Sequence, residues 1–117
     1  MEYLTEGKIM KQITINIAEQ FSDMPYGRYP IDGPDNGERF RKELLLPAVE
    51  NHDVVIVEMD GVMGYGSSFL DEAFAGLYRS EGISKDVLKK KLQLKCELKY
   101  IIESVWQYID EAKLEKK

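Results

Sequence analysis

Hydrophobic positions change their period along this chain, and the changes mark its elements. Ile13, Ile15 and Ile17 alternate with Thr14 and Asn16. Alternating β-branched residues predict a half-buried strand. Residues 1–12 are mixed and read as a frayed end or an edge strand. Asn16 and Glu19 form an N-x-x-E capping pattern, so a short helix over Ile17–Ser22 competes with continuing the strand. Pro25 and Gly27 mark a turn, and Gly33-Pro34-Asp35-Asn36-Gly37 is loop chemistry. Asp35 followed by Glu38 repeats the capping pattern and predicts a helix from about Asn36. Phe40, Leu44, Leu45 and Val49 share one face of it, and Pro47 should kink or divide it.

After Asp53 the period disappears. Val54-Val55-Ile56-Val57-Glu58-Met59 is a short apolar run, which predicts a strand covered on both faces. Asp60-Gly61 and Gly64-Tyr65-Gly66 are turn chemistry. Phe69, Leu70, Ala73, Phe74, Leu77 and Tyr78 then recur at helical spacing, with Gly82 as the expected C-cap. Ser84 to Lys91 adds a basic helical stretch. Leu92, Leu94 and Cys96 alternate with Gln93 and Lys95 as another strand. Leu98, Ile101, Ile102, Val105, Ile109 and Ala112 form the apolar stripe of a long last helix, whose polar face carries Lys99, Glu103, Gln107, Asp110 and Lys113. Strands interleaved with helices predict a small α/β sandwich: one domain over residues 1–117, with a mixed sheet of about four or five strands packed with helices.

Composition narrows the function classes. The chain has 117 residues and a net charge of −5. That balance argues against generic nucleic-acid binding, which needs a basic footprint. One cysteine, Cys96, excludes an internal disulfide or a multi-cysteine zinc site. No stretch approaches the roughly 20 apolar residues of a membrane helix, and the first residues lack a signal-peptide core. The expectation is a cytoplasmic protein with no membrane or nucleic-acid partner and no metal or other cofactor.

The candidate chemistry concentrates between Val54 and Leu77. Gly66-x-Ser68 fits half of a nucleophile elbow, but Leu70 stands where the second glycine belongs. The single histidine, His52, precedes the apolar strand and is expected at the opposite end from Ser68, as a solvated loop residue. Gly64-x-Gly66 lacks the lysine of a phosphate loop and the third glycine of a dinucleotide fingerprint. Asp71 and Glu72 are neighbours on a helix and should diverge around it, favouring the first turn electrostatically. Ser68 with Asp71 makes an S-x-x-D box, which predicts N-capping. The functional alternative for Ser67 and Ser68 is a phospho-acceptor or contact site. A phosphate would add roughly −1.5 to −2 charge where the helix dipole favours it and the two carboxylates oppose it.

The run VVIVEMDGVMGYGSSFLDEAFAGL resembles the strand–loop–helix core of STAS domains, the fold of bacterial anti-sigma-factor antagonists. The likeness is closer to an uncharacterised bacterial STAS-like family, through Gly27-Arg28-Tyr29, Gly33 with Gly37-Glu38 and Phe40-Arg41, and Gly64 through Phe74. It covers about residues 13–110. In STAS domains the first serine of an Asp-Ser-Ser-Gly-Leu segment is phosphorylated. Here Ser67 takes that place, with Gly66 instead of the aspartate and Phe69 instead of the glycine. The resemblance implies a STAS-like fold and a non-enzymatic regulatory domain. Its partner would be a protein, such as a kinase-like ATPase or an anti-sigma-type regulator. Tyr65, Gly66, Ser67, Ser68, Asp71 and Glu72 would form the contact surface, with Arg28, Glu38 and Arg41 as a loop ion pair or a charged surface beside it. A small-ligand or nucleotide site on the Gly64–Ser68 turn is the alternative. Tyr100, Trp106 and Tyr108 leave a homodimer contact open.

Overall fold

Three parallel strands form the frame on which the loops sit. The structure, a computed structural model, describes residues 2–5 and 8–115. Strand β1 (Glu2–Thr5) runs antiparallel to β2 (Lys8–Asn16), but only along the Lys8–Lys11 half of it. The other half of β2 pairs in parallel with β3 (Val54–Glu58), Gln12 opposite Val54 and Asn16 opposite Glu58. β3 in turn pairs in parallel with β4 (Leu92–Lys95). The parallel sheet therefore has three strands rather than the expected four or five, and β1 makes a separate two-stranded ribbon with β2. Asp53 continues the β2–β3 ladder, since its N–H donates to Lys11 O at 2.8 Å and its carboxylate accepts from Lys11 N–H at 2.9 Å.

Helix α1 (Ile17–Gln20) follows β2 directly and is capped by Asn16, whose side chain accepts from Glu19 N–H. A 3-10 turn spans Pro30–Asp32. Helix α2 covers 37–51 in three pieces: Gly37–Phe40, a π-helical turn over Arg41–Leu45, and Leu46–Asn51. Its cap is Asn36, not Asp35. The Asn36 carboxamide accepts from Arg39 N–H, while Asp35 takes the Ser22 hydroxyl and an ion pair to Arg39. Pro47 does not break this helix. The turn before it widens, so that the Leu46 N–H reaches back five residues to Arg41 O. His52 ends the helix half-buried, its Nδ1 3.0 Å from Ala48 O, and so is not a solvated loop residue.

Helix α3 covers 67–79 in the same manner: Ser67–Leu70, a π-helical turn over Asp71–Ala75, then Gly76–Arg79. Beyond its end the chain turns on Gly82 (φ +76°), with Ile83 N–H donating to Leu77 O and Gly82 N–H to Tyr78 O. Helix α4 (Lys85–Lys91), capped by Ser84, leads into β4, and α5 (Lys99–Glu111) closes the fold. Apolar residues from these elements meet in one core. Ile15, Ile17, Val55, Val57, Met59 and Leu92 from the sheet side pack with Phe40, Phe69, Phe74, Leu77, Leu88, Ile101, Val105 and Ile109. Trp106 and Tyr108 pack against its margin, whereas Tyr100 is exposed.

Candidate functional site

The Gly64–Ser68 turn joins β3 to α3, and two hydrogen bonds fix its base. The Tyr65 hydroxyl donates to Met59 O at 2.6 Å, and Met63 N–H donates to Asp23 O at 2.8 Å. Burial pushes the Tyr65 phenol well above its usual range, so it stays a donor at any physiological pH. Gly66, not Ser68, is the N-cap of α3, and no side chain caps this end. Ser67 and Ser68 are the first two helical residues. The expected Ser68–Asp71 capping box is absent, because the helix starts early enough to make Ser68 its second residue, and Asp71 is taken up in ion pairs. Ser67 is exposed, Ser68 is half-buried, and neither hydroxyl has a hydrogen-bond partner among the described residues.

Asp71 and Glu72 do not diverge. Both turn toward arginines contributed by three segments. Arg28 lies 2.6 Å from Asp71 and 3.7 Å from Glu72, while Arg79 lies 3.3 Å from Asp71 and 3.5 Å from Glu72. Arg41 pairs with Glu72 at 2.8 Å and with Glu81 at 2.9 Å. Three cations thus offset three anions. The π-helical turn of α3 assists: the Gly76 N–H bonds to Asp71 O, and the Glu72 carbonyl it would reach in a regular helix accepts from the Arg41 guanidinium. Two glycines make room. A Cβ on Gly37 would sit 2.8 Å from Phe69 O and 2.9 Å from Glu72 Cβ, and one on Gly76 would press on the Arg41 guanidinium.

Arg41 is therefore a buried structural residue, 2% exposed, and not part of a charged surface. Burial disfavours its charge, but hydrogen bonds to Glu72 and Glu81 outweigh that and raise its pKa. The Arg28 pKa is raised first by its hydrogen bond to Asp71. Glu38 makes no ion pair among the described residues; its N–H donates to Arg28 O at 2.9 Å and holds that loop in place. Glu72 charge raises the Tyr29 pKa.

Two open clefts flank Ser67. One, of about 460 Å3, lies among Arg28, Asp71, Arg79, Tyr108 and Lys113; the other, of about 500 Å3, lies among Tyr26, Arg28, Tyr29, Ser68 and Phe69. Arg28 and Ser67 line both. Tyr26 (69%) and Tyr29 (45%) line the second cleft as exposed apolar side chains, while the exposed Met63, Leu98 and Tyr100 line a separate recess on the other side of the turn. Sequence reasoning singled out Tyr65 to Ser68, Asp71, Glu72 and Arg28 but missed Arg79, Glu81 and the exposed Met24, Tyr26 and Met63. Arg79 stands eight residues after Asp71 on α3, a spacing that could have signalled the pair. Met24 and Met63 carry no local signal, since only the fold brings them together.

A family model described as STAS-like domain of unknown function (DUF4325) matches residues 36–96, more than half of the chain. The chain belongs to this STAS-like family. The matched region of the STAS-like domain begins at the cap of α2 and ends just after β4. It contains Arg41, the Gly64–Ser68 turn and all of α3, but not Gly27-Arg28-Tyr29. No curated protein and no solved structure matches the chain. Among the described residues, no helix of this STAS-like domain is long and apolar enough to cross a membrane, and no group of three or more His, Cys, Asp or Glu could hold a metal ion.

Proposed function

We propose that this STAS-like domain is a non-enzymatic regulatory module of the cytoplasm that docks a protein partner at the Gly64–Ser68 turn, with Ser67 as the residue that switches it. The observation that carries the reading is the exposed Ser67 hydroxyl, free of any capping duty, between two open clefts, one of them lined by the exposed Tyr26 and Tyr29. Exposed apolar surface of this kind marks contact sites on soluble domains. Arg28 and Arg79 neutralise Asp71 and Glu72, which removes much of the repulsion those carboxylates would exert on a phosphoryl group at Ser67.

The two glycines of the turn support a docking edge. Neither Gly64 nor Gly66 has a positive φ, and a Cβ on either would meet nothing within 4 Å. The free chain does not need glycine there, whereas a partner backbone approaching closely would. A kinase-like ATPase or an anti-sigma-type regulator is the partner class that the family likeness suggests.

The test mixes the purified domain with proteins encoded beside it and follows complex formation by calorimetry. Gly66→Ala and Ser67→Glu should each weaken a complex at least tenfold while leaving the thermal midpoint of the free domain within a few degrees. A complex indifferent to both substitutions would refute the docking edge. Thermal-shift screening against nucleotides addresses the small-ligand alternative, because tight binding to the folded state raises stability by about 2.7 kcal/mol at a hundred-fold excess over Kd.

A further inference from the structure

Beside the turn, the loop after β3 and the residues that open α5 enclose a smaller recess. It holds about 160 Å3 and is lined by Asp60, Val62, Met63, Tyr65, Leu98 and Tyr100, among others. Small-molecule sites run from about 300 to 1,000 Å3. This recess instead suits a single side chain, and a single side chain implies a macromolecular donor. The exposed Met63, Leu98 and Tyr100 at its mouth extend the same contact surface.

The chemistry of the recess selects which side chain. Val62, Met63 and Leu98 offer apolar contact for an aliphatic stem, and the exposed Tyr100 adds an aromatic ring to the lining. Asp60, the one carboxylate in this lining, is exposed, and it accepts from Glu97 N–H at 3.0 Å. Neither forms an ion pair among the described residues, although Lys95 and Lys99 are close in sequence. The Cys96 thiol senses this charge: burial raises its pKa first, and Asp60 and Glu97 add to the rise against one opposing hydrogen bond from Leu98.

We propose that this recess receives one arginine side chain of the docked protein, its stem against Val62, Met63 and Leu98 and its guanidinium on Asp60. Arginine fits better than lysine because a planar guanidinium stacks on tyrosine rings and forks onto carboxylates. The inference rests on the docking reading of this end of the molecule, but its test needs no partner.

The full chain, labelled with 15N, is titrated with N-acetyl-L-arginine amide, and the amide shifts are followed by NMR. Saturable shifts at Asp60, Val62, Tyr65 and Glu97 are expected at millimolar ligand, with no such response to N-acetyl-leucine amide. Asp60→Asn should weaken the response about tenfold, the loss expected for a charge-assisted hydrogen bond, without altering the remaining spectrum. An equal response to the leucine or lysine amide, no saturable shift, or an unchanged affinity in Asp60→Asn would overturn the assignment. In each of those cases a complex lost in Gly66→Ala would still uphold the docking edge.

Discussion

Replacing Glu72 with alanine removes one partner from the most buried ion pair among the described residues. Arg41 and Glu72 are 2% and 3% exposed and stand 2.8 Å apart. Taking away one member of such a pair strands the other charge out of water, which costs about 3–5 kcal/mol. Here the lower figure applies. Glu81 still faces the Arg41 Nε at 2.9 Å, and the Glu72 backbone carbonyl still accepts from its guanidinium. A loss of about 3 kcal/mol in a domain of this size lowers the thermal midpoint by about 12 °C. Urea unfolding followed by circular dichroism measures it directly, as a lower midpoint at constant m. The paired change Arg41→Met with Glu72→Met should recover most of the loss, because apolar replacement of a buried pair is often neutral or stabilising. An alanine variant within 1 kcal/mol of wild type, or a double variant no more stable than the single one, would refute the account of the network.

Gly76→Ala should be destabilising, by about 1–3 kcal/mol for overpacking, because the new Cβ would lie 2.9 Å from Arg41 Cζ; a gain in urea midpoint would contradict this. Asn36→Ala should cost about 1–2 kcal/mol as a lost cap, since its side chain accepts from Arg39 N–H and donates to Gly33 O. Ser68→Ala should stay within about 0.5 kcal/mol, as expected of a side chain with no cap to lose, and the two variants are compared in the same unfolding assay. Cys96 should react slowly with iodoacetamide. Its raised pKa means that the folded state prefers the neutral thiol. Alkylation at pH 8.5 should therefore be slower in the folded chain than in urea, and this group should erode stability only as pH climbs through the ordinary thiol range and beyond.

What the sequence disclosed is what local periodicity controls. The alternation from Ile13 to Asn16 became the part of β2 that joins the parallel sheet, and Ile17 opens α1. The Val54–Met59 run became the central strand, and the stripe from Leu98 to Ala112 became α5. Caps were half legible. Asn16 caps as its spacing implies, whereas Asn36 displaced its neighbour Asp35, which is held by Ser22 and Arg39. Ser68 lost its capping role because the helix starts before it, on Gly66, while Asp71 answers to Arg28, 43 residues away. Burial of Arg41 was equally hidden, because a charged residue after Phe40 reads as surface until Gly37 and Gly76 are seen to open a berth for it. The π-helical turns belong to the same class. They widen the helix where Pro47 withholds a donor and where Arg41 claims a carbonyl.

Hydrogen–deuterium exchange of the domain, alone and in complex with a partner protein, tests the docking edge most directly. Binding should slow exchange in the stretches around Met24–Tyr29 and Met63–Phe69 and leave α2 and α4 unchanged. Protection confined to α2 or α4, with the turn at Ser67 exchanging as freely as in the unbound domain, would contradict it.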